Sequence, residues 1–326
     1  MYLTLALVVM LATFLLLVPQ NISDTIADHS FITYNGIGDS DLMISLRQTD
    51  SIAEKEARIA DALKHDPDVS AFSVLTSRLH EVADEPVRGR IKVDTGDHDI
   101  FPIAYAEGRV PASDDEIALS VLTADDYGKS PGDTLTLLVD GTPRTLRVTG
   151  LYSDITNGGK TAKALFSTDA DILWSTAYVK CKEGVDLQKK MRQYAAQYPD
   201  AAVAEIGAYF TEMTGTLTDA LQTASVASAV VTVLLVFLVT LLFVRLLAVK
   251  DRKPFAVMKI LGFTDREVQR QLLARTLLTG GFAIATGILL SGTLGEAFAT
   301  ALVGSFGVAR LHFVNRPLFV FVAAPA

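Results

Sequence analysis

Two uncharged stretches joined by a basic connector set what this chain can become. Ala224 to Val244 carries no ionisable side chain, and neither does Thr276 to Leu294. Each approaches the ~20 residues a helix needs to cross the hydrocarbon core of a bilayer. Between them lie Arg245, Lys250, Arg252, Lys253, Lys259, Arg266, Arg270 and Arg275, against only Asp251, Asp265 and Glu267. Short loops rich in Lys and Arg stay on the cytoplasmic side. The two runs are therefore expected to form a membrane hairpin whose turn dips into the cytosol.

Half of the residues are hydrophobic, and the excess sits in blocks. Met1 to Val18 is a third apolar run without charge. A secretory signal offers a basic lead-in and small residues at a cleavage site, and this run has neither. It is read as a true span, with the expectation that a cytoplasmic lead-in precedes it. Pro19 to Thr223 holds 19 basic and 33 acidic residues. With the hairpin turn inside, this acidic segment is expected outside. The single cysteine, Cys181, excludes an internal disulfide. It sits in an apolar strand pattern and reads as a core residue rather than a reactive thiol.

A polar connector is expected after Pro19, then a strand over Asp41 to Arg47. A helix follows over Ser51 to His65, with Ser51 and Glu54 as a capping box, then a strand over Ser70 to Thr76. A second strand–helix–strand unit is predicted at Trp174 to Lys182, Asp186 to Tyr198 and Ala201 to Ile206. Between the two units, roughly Val82 to Thr168 is rich in strand signals, including a hairpin at Thr134 to Val139 and Arg144 to Val148 around Asp140-Gly141. From about Tyr209 the pattern turns helical and runs into the second span, with Gly215 its weak point. The fold class is an α-helical membrane protein with a large α+β extracytoplasmic domain inserted between the first and second spans.

In the connector, Pro254 suits a first helical position, and Phe255, Met258 and Leu261 fall on one face. Gly262 is placed to end that helix, and Thr264 with Glu267 to cap the next. The apolar stripe serves either as a membrane-surface anchor or as a docking helix for a cytosolic subunit. Ala283, Gly287, Ser291 and Gly295 recur every fourth residue along the third span, continuing to Ala299. Ala220, Ala224, Ser228 and Thr232 do so along the second. Small residues at this spacing let helices approach closely in lipid.

Chemistry-bearing patterns are sparse. Gly128-Lys129-Ser130 and Gly159-Lys160-Thr161 resemble the end of a phosphate-binding loop. The glycine that the loop needs five residues earlier is Thr123 in one and Asp154 in the other. Asp97-His98-Asp99 is read as a solvated turn, and no metal site is expected. The spans hold no ionisable group except Glu296, at the outer edge of the third and expected to face water. No catalytic residues are identified, and no nucleic-acid partner is expected.

GRVPASDDEIALS (Gly108 to Ser120), YGKSPGDTLTL (Tyr127 to Leu137) and Val148-Thr149-Gly150 together resemble the outer domain of MacB-like permeases. RKPFAVMKILGFTDREVQRQLL (Arg252 to Leu273) is similar to the cytosolic connector of FtsX-like ABC transporter permeases, although Pro254 stands where that family usually has Glu. The resemblance implies a permease subunit of the bacterial inner (cytoplasmic) membrane, multi-pass, with residues 19–223 outside. ATP would be bound by a separate ABC ATPase subunit, and no cofactor is expected in this chain. Phe255, Met258, Lys259, Leu261 and Gly262 would dock on that ATPase. A homodimer or a second permease half would complete the assembly. The work implied is export or extraction of lipoproteins, peptides or antibiotics; the alternative is a membrane receptor or sensor with a ligand-binding outer domain. The expected division is a span at 1–18, the outer domain at 19–207, a stalk and span at 208–250, and a cytoplasmic coupling segment at 251–275. A third span at 276–308 follows, then the start of a fourth at 318–326. Residues 224–326 would form the FtsX-like domain.

Overall fold

The alternation of Leu42, Ile44 and Leu46 with Met43, Ser45 and Arg47 makes β1 (Leu42–Arg47) a strand with one apolar face. In the computed structural model that face is buried beneath two helices, α3 (Ile52–His65) and α5 (Leu187–Gln197), which contribute Ile59, Leu63 and Tyr194. The structure describes all residues except 1, 29, 50, 84–88, 169, 251–263, 305–306, 310 and 314–326. Contacts divide the chain into two units. One is Met1–Ala27, Gly215–Ala299 and Leu311–Ala326; the other is Asp28–Thr214 with Thr300–Arg310.

In the second unit, a short helix α2 (Ser30–Tyr34) leads into β1 and α3, followed by β2 (Val69–Val82). Late in the unit come β9 (Ile172–Cys181), α5 and β10 (Ala201–Glu205). Both are the expected strand–helix–strand units, and they interlock. The sheet order begins β10-β1-β9-β2 with every neighbouring pair antiparallel. Each unit's two strands are thus parallel and separated by a strand of the other, as in split β-α-β folds. Cys181 is buried and unpaired at the end of β9, as its apolar pattern indicated.

β2 runs on to Val82, beyond the predicted end at Thr76, because its second half pairs with β3 (Gly89–Thr95). It thereby carries the sheet into a β-rich lobe. There β4 (Tyr105–Gly108), β5 (Glu116–Ser120), α4 (Val121–Tyr127), β6 (Thr134–Val139), β7 (Thr142–Tyr152) and β8 (Thr161–Ala164) follow in order. The sheet continues β3-β8-β5-β7-β4, with β6 against β2 and β7. A separate core of Val93, Ile117, Leu119, Leu135, Leu137, Leu146 and Val148 is fully enclosed. Each such side chain contributes roughly 1.5–3 kcal/mol by burial. The hairpin turn is as predicted: Asp140 and Gly141 both have positive φ (51° and 77°), and Val139 pairs with Thr142. The Ser51 cap is not. Its side chain makes no capping bond, since φ −125° and ψ 28° turn it away from the N-cap geometry.

The first unit is built on α1 (Tyr2–Ile26), α6 (Ile206–Lys250) from Gly215 onward, and α7 (Asp265–Gly304). All three are long and apolar enough to cross a membrane. Their large side chains point outward: Leu3, Phe237, Leu278, Phe282 and Leu289 are each at least 60% exposed. A surface of that kind suits helices packed in lipid or against other apolar helices. α6 runs unbroken through Gly215.

α1 corrects the expected connector after residue 18, because the helix continues through Pro19 to Ile26. Proline lacks the N–H that would bond the carbonyl of Leu15. Ser228 of α6 supplies the missing donor, its Oγ lying 2.8 Å from Leu15 O, and Ser225 reaches Gln20 on the next turn. Proline is tolerated in a membrane helix when a neighbouring hydroxyl satisfies the freed carbonyl. Ser228→Ala is therefore expected to cost about 1–2 kcal/mol of thermal stability in detergent. Adding Pro19→Ala, which restores the backbone bond, should recover most of the loss; an additive double variant would refute the pairing.

Candidate functional site

The five residues expected to contact an ATPase, Phe255, Met258, Lys259, Leu261 and Gly262, lie outside the described residues, as does the fourth-span segment 318–326. Immediately after the connector, Glu267 accepts hydrogen bonds from both Thr264 N (2.8 Å) and Thr264 Oγ1 (2.9 Å) as α7 begins.

Along α7, Ala283, Ser291 and Ala299 are buried. At Gly287 an added Cβ would sit 2.8 Å from both Met10 O and Thr13 Cβ. At Gly295 it would sit 2.8 Å from Val18. Both glycines thus press against α1, and a side chain at either would separate the helices. Glu296 does not simply face water. Its side chain is 24% exposed, and its carboxylate accepts from Phe313 N at 2.9 Å with His312 Nδ1 3.6 Å away. The chain after α7 folds back onto it.

The glycine–arginine motif at Gly108 to Ser120 forms a set of staples. Gly108 and Gly150 are cross-strand partners on β4 and β7. A Cβ on Gly150 would lie 2.5 Å from Arg109 O. Arg109 forks onto Glu116, Nη1 to Oε2 at 2.8 Å and Nη2 to Oε1, while Glu116 also accepts from Ala112 N. These bonds to the charged form hold the Glu116 carboxyl below its usual range. Ser120 caps α4, accepting from Thr123 N and also from Thr161 N of β8. Gly128 closes α4 in the left-handed region, and Gly159 precedes strand β8. Neither GK pair opens a helix, the arrangement by which such loops hold phosphate.

A polar row on the open face of the sheet was not foreseen. The register pairs Arg47 with Trp174, Trp174 with Ser77, Ser77 with Asp94, and Asp94 with Lys163. Cross-strand partners share a face, so five strands contribute one continuous row opposite α3 and α5. Above it lies a cavity of about 620 Å³, lined also by Lys92, Asp154, Tyr178 and Tyr209. Asp94 accepts from Ser77 Oγ and pairs with Lys92 Nζ at 3.1 Å. Burial pushes its carboxyl up, but Lys92 and then Lys163 outweigh this and hold it below the usual range. Asp154 is pushed up by burial despite bonds from Thr156 N and Thr161 Oγ1. Lys163, 5% exposed, is pushed down by burial and partly restored by Asp94 and Asp154.

His98 corrects the reading of a solvated turn. It is 7% exposed, and its Nε2 faces Asp94 O (3.1 Å) and Ala164 O (3.2 Å). Two carbonyls require a proton on Nε2. Burial, reinforced by Lys163, lowers its pKa to about 4 and keeps the ring neutral. Among the described residues, no cluster of three or more His, Cys, Asp or Glu is placed to hold a metal. The signal available in the sequence was slight: Lys92 and Asp94 alternate with Val93, and Lys163 stands between two core alanines.

Residues 226–325 match the family described as FtsX-like permease C-terminal. The globular unit is similar to solved outer domains. One is the periplasmic region of MacB from Actinobacillus actinomycetemcomitans, at 14% identity and TM-score 0.39, covering 55% of this chain and 94% of that one. Another is the extracellular domain of the noncanonic ABC-type transporter YknZ from Gram-positive bacteria, at 12% identity and TM-score 0.35, covering 50% and 100%. No curated protein matches the chain. The match to FtsX-like permeases thus falls on residues 226–325, about a third of a chain with three helices long and apolar enough to cross a membrane.

Proposed function

We propose that this chain is the membrane permease subunit of an ABC transporter, working with a separate ATPase subunit. Movement of the outer domain would export or extract lipoproteins, peptides or antibiotics. The observation that carries the reading is the match of residues 226–325 to FtsX-like permeases. Chain order supports the hairpin. The connector joins α6 to α7 in the chain, between two helices each long and apolar enough to span a membrane. The connector's positive charge supports a cytosolic position at a bacterial inner membrane, with the 19–223 segment outside. A homodimer or a second permease half completes the transporter.

In this reading the ATPase docks on Phe255, Met258, Lys259, Leu261 and Gly262, and its motion enters α6 and α7 from below. Phe255→Asp combined with Leu261→Asp puts two charges on the apolar stripe that a partner must desolvate. The double variant is expected to insert in the membrane normally and to lose co-purification of the ATPase subunit. Retained association would show that the ATPase binds elsewhere.

A further inference from the structure

The open face of the sheet holds a cation with nothing to bind. Lys163 is 5% exposed and lines the cavity of about 620 Å³. Its ammonium makes no hydrogen bond or ion pair with any described residue; it lies 5.3 Å from the centre of the Tyr152 ring. The side chain is buried but its ammonium is not sealed off, so it opens to the cavity, where a charged donor without a protein acceptor suits an anion. The two nearby carboxylates do not meet the need. Asp94 is held by Ser77 and Lys92, and Asp154 by Thr156 N and Thr161 Oγ1. Lys92 adds a second cation on the neighbouring strand, 5.3 Å from the centre of the Trp174 ring. The cavity is within the roughly 300–1,000 Å³ range of small-molecule sites, and Trp174, Tyr178 and Leu173 give its wall apolar area.

We propose that this cavity binds a small organic anion, its phosphate or carboxylate seated on Lys163 and its apolar body against Trp174 and Tyr178. The anion supplies the acceptor oxygens that Lys163 lacks, in a charge-assisted hydrogen bond. A cation gains nothing there, because both carboxylates already have donors. The site belongs to the outer domain alone and stands independently of the permease reading, since its test involves neither an ATPase nor transport.

Trp174 is the sole tryptophan of the chain, so its fluorescence reports on the cavity directly. The protein in detergent micelles, which add no tryptophan, is titrated with phenyl phosphate and, as a cationic counterpart, benzylammonium. Phenyl phosphate is expected to change Trp174 emission saturably, with inorganic phosphate competing. Lys163→Met should weaken its binding at least about tenfold without altering the circular dichroism spectrum. If that variant fails to fold, Lys163→Gln, which keeps a polar end among the same neighbours, takes its place. The proposal is overturned if phenyl phosphate gives no saturable response, if benzylammonium titrates equally well, or if the Lys163 variant binds as tightly as the wild type.

Discussion

Gly108→Val is expected to lower the melting temperature of the globular unit by about 10 °C. Gly108 has φ +74°, which a β-branched residue adopts only under strain. An added Cβ would lie 2.1 Å from Thr149 O and 2.8 Å from Gly150 Cα. Both are backbone atoms of the partner strand, fixed by the β4–β7 pairing, so neither can step aside. Strain and clash together cost about 3–5 kcal/mol, and in a domain of this size each kcal/mol is worth roughly 2–4 °C. Gly132→Ala is the control: its φ is also positive, but nothing lies within 4 Å of the added atom, so its loss should be markedly smaller. Equal melting temperatures for Gly108→Val and the wild type would remove the structural account of the glycine–arginine motif.

Lys190→Met is the second large effect. Lys190, on α5, is 4% exposed, and its Nζ sits 2.7 Å from Asp66 Oδ2 and 2.8 Å from Asp68 Oδ2. Tyr194 donates to Asp66 from the next turn. This cluster ties α5 to the turn that ends α3. Removing one member of a buried ion pair typically costs 3–5 kcal/mol; because Asp68 is half exposed, about 2–4 kcal/mol is expected here. Burial would raise the Asp66 carboxyl, but the Lys190 bond and the Asp68 N–H hold it below its ordinary value. Its stabilisation is thus present above that value and lost as pH falls through the lowered native one. Melts between about pH 5 and pH 2 should show a steeper acid loss for wild type than for Lys190→Met. Parallel slopes would assign the stability to other groups.

The elements legible from the sequence are those set by local chemistry. Alternation marked β1, the Asp140-Gly141 turn marked the hairpin, and Asp186 marked the start of α5, where its carboxylate accepts from Lys189 N. The missed features are set by residues far apart in the chain. Pro19 does not end α1, because the Leu15 carbonyl that it leaves without a donor accepts from Ser228 on another helix. His98 is buried because two carbonyls from different strands receive its N–H. The Arg47–Trp174–Ser77–Asp94–Lys163 row exists only once strands from both halves of the domain are in register, and no sequence window contains it. The connector that carries the strongest family likeness is recognised by its residues alone.

In the proposed topology the acidic domain and the basic connector lie on opposite sides of one membrane. Single-cysteine variants in a Cys181→Ser background test it directly, with Asp97→Cys on an exposed loop and Lys253→Cys in the connector. A membrane-impermeant maleimide should label the Asp97 position in intact spheroplasts and the Lys253 position only after permeabilisation. Labelling of both from the same side would contradict the account.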